Sequence, residues 1–186
     1  MLNTRSLIPF ILILLVLSAC KKEAKSTETT EQEEGVTLIT AQASIDSKSG
    51  STLTGDALFT QVDDQVTLKL TIENASPGIH AAHIHQNGDC SSEDGKSAGG
   101  HWNPTEHDHG KWGEGQFHKG DIGNIKVGED GKGSIELTTD LWAIGGDDAA
   151  KNVLGKSIIV HAKADDFATQ PTGNAGGREG CGVIVK

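Results

Sequence analysis

The amino-acid sequence predicts an all-β domain, built as an antiparallel sandwich or barrel of short strands. Apolar residues recur at every second position in several stretches, which is typical of strands that place one face against a core. The chain contains 24 Gly and only 4 Pro, a composition that indicates many tight turns. No window shows a convincing amphipathic helix longer than three turns, so we expect strands to form the core.

The clearest strand covers residues 66–73, where the even-numbered positions are apolar and the odd-numbered positions are polar. The stretch 157–161 is apolar on both faces, which predicts a more deeply buried strand. Alternation recurs in two further places, Ile135 with Leu137 and Val183 with Val185. These strands, punctuated by Gly, Asp and Asn, favour antiparallel pairing.

The first 19 residues predict a signal peptide. One Arg is followed by an apolar run over residues 7–17, and small residues then precede Cys20. The run is short and is interrupted by Pro9, which argues against a membrane span. Residues 17–20, Leu-Ser-Ala-Cys, resemble the lipobox of bacterial lipoproteins, which implies a lipid on Cys20. The alternative is an ordinary secretory signal with an unrelated Cys.

Residues 20–34 are expected to form a lipidated Cys20 and a disordered tether, because this stretch is densely charged and has no large apolar residue. The folded domain would cover residues 35–186. A lipid would hold the domain beside a membrane without inserting it, so we expect anchoring to the bacterial cell envelope on its periplasmic side. The net charge of −10 argues against a nucleic-acid partner.

Two cysteines remain in the domain, Cys90 and Cys181. An even pair in an exported, oxidising compartment predicts a disulfide, which would stabilise the fold by about 4 kcal/mol on the loop-entropy model. The alternative is a pair of thiolate metal ligands. Neither Cys belongs to a Cys-x-x-Cys pair, which weakens that alternative.

Histidines are concentrated in one part of the chain. Seven of the eight lie within residues 80–118, and most of this region, residues 87–120, lacks strand patterning. A loop of this length is uncommon in a compact domain unless it is disordered or functional, and a bound metal would order it. On an extended strand, His83 and His85 would project from one face while Ile84 points into the core. Imidazole ligands suit zinc and copper.

Five stretches, in the same order along the chain, resemble the copper/zinc superoxide dismutase family in its exported bacterial lipoprotein form. They are residues 78–85 (GIHAAHIH), 98–104 (AGGHWNP), 118–124 (HKGDIGN), 160–166 (VHAKADD) and 173–184 (GNAGGREGCGVI). The resemblance implies a Greek-key antiparallel β-sandwich, or flattened eight-stranded barrel, with long metal-binding loops. It also implies copper and zinc as cofactors.

The resemblance further implies that one imidazole is shared by two metals. Copper would be bound by four histidines, His83, His85, His101 and His161. Zinc would be bound by three histidines and a carboxylate, His101, His109, His118 and Asp121. The shared His101 would hold one metal at each ring nitrogen.

Three residues acquire further roles by the same resemblance. His101 would also be catalytic by releasing and taking back a proton, and Arg178 would attract the anionic substrate beside copper. Asp165 would accept hydrogen bonds from a copper histidine and a zinc histidine. From the residues alone, Asp165 could instead be a solvated turn carboxylate, and Arg178 could form a surface ion pair with Glu179.

Two histidines stay outside the predicted ligand sets. His80 corresponds to a structural position of the family that hydrogen-bonds the backbone near the copper strand. His107 could compete for zinc, but its spacing differs from the family pattern, so we expect it to be a solvated loop residue.

The implied activity is dismutation of superoxide to oxygen and hydrogen peroxide. The alternatives are a non-catalytic copper-binding or copper-delivery lipoprotein with the same fold, and a structural sandwich with incidental histidines. The resemblance allows a homodimer, although the subunit interface differs between groups of the family. The stretch 165–177 is short and lacks the charged cluster of the eukaryotic enzymes, which leaves long-range guidance of superoxide open.

Overall fold

The computed structural model describes residues 37–186, which form eight strands and one short 3-10 turn at Lys96–Ala98. The strands are β1 (Leu38–Ser47), β2 (Thr54–Val62), β3 (Gln65–Glu73), β4 (Gly78–His85), β5 (Gly123–Val127), β6 (Gly133–Thr139), β7 (Ser157–His161) and β8 (Arg178–Val183). The all-β prediction is therefore confirmed. The predicted signal peptide (1–19), Cys20 and the tether (20–34) lie outside the described residues. Within 37–186, no helix is long and apolar enough to cross a membrane.

All eight strands pair antiparallel in one closed barrel, in the order β1-β2-β3-β6-β5-β4-β7-β8. Strands β4, β5 and β6 follow one another, and the next strand in sequence, β7, returns to lie beside β4. This arrangement is a Greek key, as the family resemblance implies. It places β4 and β7, which carry three of the predicted ligands, next to each other.

The predicted strand at 66–73 is β3, and its alternation is confirmed. Its apolar side chains are at most 1 % exposed and pack in the main core with Phe59 and Trp142. Strand β7 is buried at every position, as its two apolar faces predict. Ile135 and Leu137 on β6 alternate with exposed residues and pack against the same core.

The structure differs from the sequence prediction at both ends of the domain. Strands β1 and β2 carry no strong signal, because small side chains such as Ala41 and Ala43 fill much of their buried face. At the C-terminus, Val185 is 50 % exposed and Ile184 is fully buried, so the predicted pairing of Val183 with Val185 on one buried face is wrong. The regular strand ends at Val183, and the backbone N–H of Ile184 then bonds to Lys156 on another loop.

Two long loops bring the remaining predicted metal ligands and Asp165 to β4 and β7. Residues 86–122 connect β4 to β5 and include the short 3-10 turn. Residues 162–177 connect β7 to β8. The absence of strand patterning between residues 87 and 120 is thus confirmed, apart from one isolated bridge between His85 and His101.

Candidate metal centre

The seven predicted ligands converge in two overlapping groups. The all-histidine group contains His83, His85, His101 and His161, and the mixed group contains His101, His109, His118 and Asp121. In each group, one ligand atom from every residue lies within 4.8 Å of the others, and every member is buried. His101 belongs to both groups.

The barrel places most of the all-histidine group. His83 and His85 lie on β4 with Ile84 between them, and Ile84 is fully buried in the core. His161 ends the neighbouring β7, which pairs with β4 from Ala82 to His85. The bridge between His85 and His101 brings the fourth imidazole to the same place. The one-face projection of His83 and His85 follows from strand alternation.

Among the residues that the structure describes, five buried nitrogen atoms of these groups have no hydrogen-bond partner. Four of these atoms come from the all-histidine group, one from each ring: His83 Nδ1, His85 Nε2, His101 Nε2 and His161 Nε2. The fifth is His109 Nδ1. A buried polar atom without a partner costs about 1–3 kcal/mol, so five in one place require an explanation. Metal ions bound at these nitrogens would explain them, and the residues therefore fit the implied cofactors.

In the three strand histidines of the all-histidine group, the other ring nitrogen faces an oxygen acceptor, which fixes the orientation of the ring. His83 Nε2 lies 2.8 Å from Asp165 Oδ2, and His85 Nδ1 lies 2.9 Å from the carbonyl oxygen of Gly99. His161 Nδ1 faces the carbonyl oxygen of Gly176 at 3.4 Å. Such outer partners select the tautomer and leave the opposite nitrogen free for a metal.

Asp121 organises the mixed group. Its Oδ1 lies 2.9 Å from His101 Nδ1 and 3.2 Å from His118 Nδ1. Its Oδ2 accepts hydrogen bonds from the backbone N–H groups of His118 and Gly110, at 2.8 and 3.1 Å. His109 Nδ1 is 3.0 Å from Oδ2 but makes no hydrogen bond with it. The three imidazoles and this carboxylate form a donor set that suits zinc.

Asp165 connects the two groups. One carboxylate oxygen lies 2.8 Å from His83 Nε2, and the other lies 2.9 Å from His109 Nε2. Asp165 is only 3 % exposed, so it is not a solvated turn residue. The Asn124 side chain bonds both backbone groups of Asp165, which fixes the carboxylate between the two rings. Nothing in the sequence around Asn124 indicates this role, because the bond spans 41 residues.

Arg178 begins β8 opposite His161, and its guanidinium is held by the loop that carries His101. Nη1 and Nη2 donate to the carbonyl oxygens of Gly95 and Gly99, each at 2.7 Å. No ion pair joins Arg178 to Glu179 in the described part of the chain; the Glu179 carboxylate instead lies 3.5 Å from His80 Nδ1. The Gly95 and Gly99 carbonyls gave no sequence signal, because every residue has one.

The predicted disulfide between Cys90 and Cys181 is present, with the two Cα atoms 5.7 Å apart. It attaches the start of the Arg178-binding loop to β8, three residues after Arg178. The disulfide therefore ties together the two segments between which the guanidinium is held.

The remaining two histidines, His80 and His107, lie outside both ligand groups. His80 is buried, with Nδ1 2.8 Å from the carbonyl oxygen of His161 and Nε2 2.8 Å from that of Ser76. It thus contacts the backbone of a candidate ligand and no candidate metal position. His107 is exposed and belongs to neither group.

The two groups differ in charge. Burial lowers the pKa of His85 and of His161 well below the usual range, and neighbouring imidazoles add to this effect. Burial also lowers the pKa of His101, to about 4, despite its bond to Asp121. Burial would lower the pKa of His109 as well, but Asp121 and Asp165 outweigh it and raise that pKa to about 9. Neutral imidazoles can bind a metal directly, because no proton has to leave first.

Comparisons with known proteins agree with this geometry. The family model for copper/zinc superoxide dismutase (SODC) matches residues 53–184. The Cu-Zn superoxide dismutase of Deinococcus radiodurans is 34% identical over an alignment of 195 residues that covers 99% of this chain and 98% of the relative. The enzyme of the same name from Caulobacter vibrioides is 40% identical over 134 residues, covering 70% of this chain and 77% of the relative.

A solved structure is similar as well. The crystal structure of the clock protein EA4 aligns with a TM-score of 0.69 and 36% sequence identity, covering 78% of this chain and 92% of that chain. The family match extends over most of the barrel and both metal-binding loops, and it includes all seven candidate ligands. This chain therefore belongs to the copper/zinc superoxide dismutase family.

Proposed function

We infer that this chain is a superoxide dismutase in which the all-histidine group binds copper and the mixed group binds zinc. The observation that carries this assignment is the position of His101. Its Nε2 is buried and unpaired among the nitrogens of the all-histidine group, while its Nδ1 faces Asp121 in the mixed group. Four imidazoles suit copper, and three imidazoles with a carboxylate suit zinc.

Copper held by His83, His85, His101 and His161 would supply the one-electron chemistry by which two superoxide ions and two protons become oxygen and hydrogen peroxide. Zinc held by the mixed group has no redox chemistry, so its contribution would be structural. His101 Nε2 is the protein atom that holds and releases a proton during this cycle. It suits this role because it is buried, has no hydrogen-bond partner, and lies on a ring that Asp121 orients from the other side.

Arg178 binds the anionic substrate. Its two bonds to the Gly95 and Gly99 carbonyls use two of the five guanidinium N–H donors, so donors and the full charge remain for superoxide. The pairing of Arg178 with His161 across β7 and β8 places this charge next to the all-histidine group. A local cation matters here because the chain as a whole carries a net charge of −10.

Asp165 keeps the two metal sites in register. It accepts a bond from His83 of the all-histidine group and one from His109 of the mixed group, so a shift of either ring would move the other. Outer-shell carboxylates of this kind also make the bound imidazole more basic.

The alternative function is copper storage or delivery without turnover. Storage does not require a cation beside the metal or an imidazole that faces two metals, so Arg178 and His101 favour catalysis.

The deciding experiment loads the full chain with one copper and one zinc and follows the decay of a pulse of superoxide. We expect catalytic decay that is abolished when copper is chelated, with zinc-only protein and free copper as controls. Decay no faster than with free copper would support the delivery function instead.

We also propose that the chain is exported and held at the bacterial envelope by a lipid on Cys20, facing the periplasm. The support is the Leu-Ser-Ala-Cys sequence directly after the apolar run. On cell fractionation, a Cys20→Ser variant should move from the membrane fraction to the soluble periplasmic fraction. Mass spectrometry of the wild-type protein provides the contrary outcome: a peptide that contains Cys20 without the added mass of a lipid would contradict the proposal.

A homodimer is the last part of the proposal. Leu38 and Val62 pair across β1 and β2 and are 62 % and 37 % exposed, so they offer apolar surface that a second copy would cover. Sedimentation of the wild-type chain should give twice the monomer mass, and Leu38→Lys should lower it. A monomeric wild type at micromolar concentration would contradict the dimer.

A further inference from the structure

The side chain of Gln170, on the loop between β7 and β8, bonds both backbone groups of His109. Its Oε1 accepts a hydrogen bond from the His109 N–H at 2.8 Å, and its Nε2 donates to the His109 carbonyl oxygen at 2.9 Å. The same Nε2 has a longer contact of 3.4 Å with the carbonyl oxygen of Ala168. The amide thus pairs with His109 as a neighbouring strand would, across 61 residues of sequence.

In the described residues, side chains bond the backbone of this part of the loop. Among the described residues, those from 103 to 110 take part in no backbone–backbone hydrogen bond. His109 is only 3 % exposed, and buried backbone N–H and carbonyl groups need partners. Gln170 supplies both of them.

The His109 ring is held from the same loop. Its Nε2 lies 2.9 Å from Asp165 Oδ1, and Asp165 is in turn fixed by the two backbone bonds from Asn124. The side-chain amide of Gln170 therefore bonds the backbone of His109, and the side-chain amide of Asn124 bonds the backbone of its partner Asp165. With backbone and ring both fixed, the free nitrogen of His109 is Nδ1, which is buried and unpaired.

We propose that Gln170 is a positioning residue for zinc, which fixes His109 so that Nδ1 is already in place before the metal binds. The proposal rests on the zinc assignment of the mixed group. Without the amide, His109 would have to be ordered by the metal itself, and the entropy cost of that ordering would weaken zinc binding. Copper binding should change little, because the all-histidine group lies mainly on strands.

The test measures zinc affinity of the metal-free full chain by competition with a chromophoric chelator. We expect Gln170→Ala to bind zinc about 10- to 100-fold more weakly, the loss typical of outer-shell partners. Gln170→Glu keeps the acceptor for the His109 N–H but loses the donor, so its loss should be smaller, about three- to tenfold. The matched control is Thr172→Ala, because Thr172 is an exposed residue of the same loop whose side chain makes no hydrogen bond within residues 37–186.

Two further measurements separate positioning from a general loss of structure. Cobalt substituted for zinc should show an altered visible spectrum in Gln170→Ala, and copper affinity should match that of wild type. Equal zinc affinity in wild type and Gln170→Ala would overturn the proposal, and so would an equal loss in Thr172→Ala. If Gln170→Ala does not fold, the zinc affinity of Gln170→Glu is the test. A zinc affinity equal to that of wild type in Gln170→Glu would then overturn the proposal. A wild-type chain that binds no zinc would instead refute the zinc assignment itself.

Discussion

The all-histidine group and the mixed group share one residue, yet the protein holds them in different ways. His83, His85 and His161 of the first group lie on β4 and β7, whose backbones are fixed by the hydrogen bonds of the barrel. Every member of the mixed group lies between β4 and β5, in the loop 86–122. The strand ladder of the barrel therefore preorganises one metal site, whereas the other depends on side chains that reach into a loop.

The two groups also differ in chemistry. The first offers four nitrogen donors, three of which have a pKa lowered mainly by burial. The second contains Asp121, whose pKa lies well below its usual range: burial would raise it, but hydrogen bonds from the rings of His101 and His118 and from the His118 backbone outweigh that effect. The charge of the carboxylate suits a site that keeps a divalent ion, and neutral imidazoles tolerate a metal that changes its charge during turnover.

The most severe break of the all-histidine group is His161→Ala. It removes a ligand that belongs to this group alone, so copper affinity should fall by more than about 100-fold, because outer-shell changes already cost about 10- to 100-fold. Superoxide removal after dialysis should drop to the level of zinc-only protein, while zinc stays bound. Metal analysis after dialysis checks the order of loss, and equal loss of both metals would contradict the assignment of His161.

The reciprocal break is Asp121→Ala. It removes a mixed-group ligand and also the acceptor for the Gly110 and His118 backbone N–H groups, so zinc should be lost before copper. We expect zinc affinity to fall by more than about 100-fold and activity to fall less than in His161→Ala, because the strand-borne ligands remain. Asp121→Asn, which keeps an acceptor oxygen, is the conservative control and should retain more zinc. Preferential loss of copper would reverse the two site assignments.

A variant outside both groups sharpens the comparison by separating metal binding from substrate attraction. Arg178→Ala should keep both metals but remove superoxide about 10-fold more slowly or worse, because a focused positive field raises association rates of anions by at least that factor. Arg178→Lys should recover part of the rate, since it keeps the charge but cannot reproduce both bonds to Gly95 and Gly99. Rates measured over a range of salt concentrations are the readout. An Arg178→Ala chain with the wild-type rate would remove Arg178 from the mechanism.

The smallest effect is expected at His107, the exposed histidine of the same loop. His107→Ala should leave zinc and copper affinities within about twofold of wild type, as is usual for surface substitutions. The same metal titrations measure it. A tenfold loss of zinc would mean that the mixed group recruits a ligand from the solvent-facing part of the loop.

The strongly patterned part of the fold could be predicted from the sequence, and the weakly patterned part could not. Strand β3 can be predicted because four large apolar residues alternate with polar ones. Strand β1 instead buries small alanines, whose alternation with polar residues is a weak signal. At the C-terminus, alternation assigned Val185 to the core, but the backbone leaves the regular strand after Val183 and Ile184 takes that place. The hydrogen bond between Ile184 and Lys156 accompanies this change of direction. The alternation of apolar and polar residues carries no information about such a contact with another loop.

The amino-acid sequence by itself determined the set of chemical groups: seven side chains with imidazole or carboxylate ligands, two cysteines and an arginine, in an order and spacing that resemble one family. Ligand type is a property of the side chain, so it can be read without coordinates. Only the tertiary structure decided which nitrogen of each ring is free and which is occupied. That choice depends on groups distant in sequence, such as the Gly99 carbonyl at His85 and the Asp165 carboxylate at His83 and His109, which reach the rings only when the barrel closes.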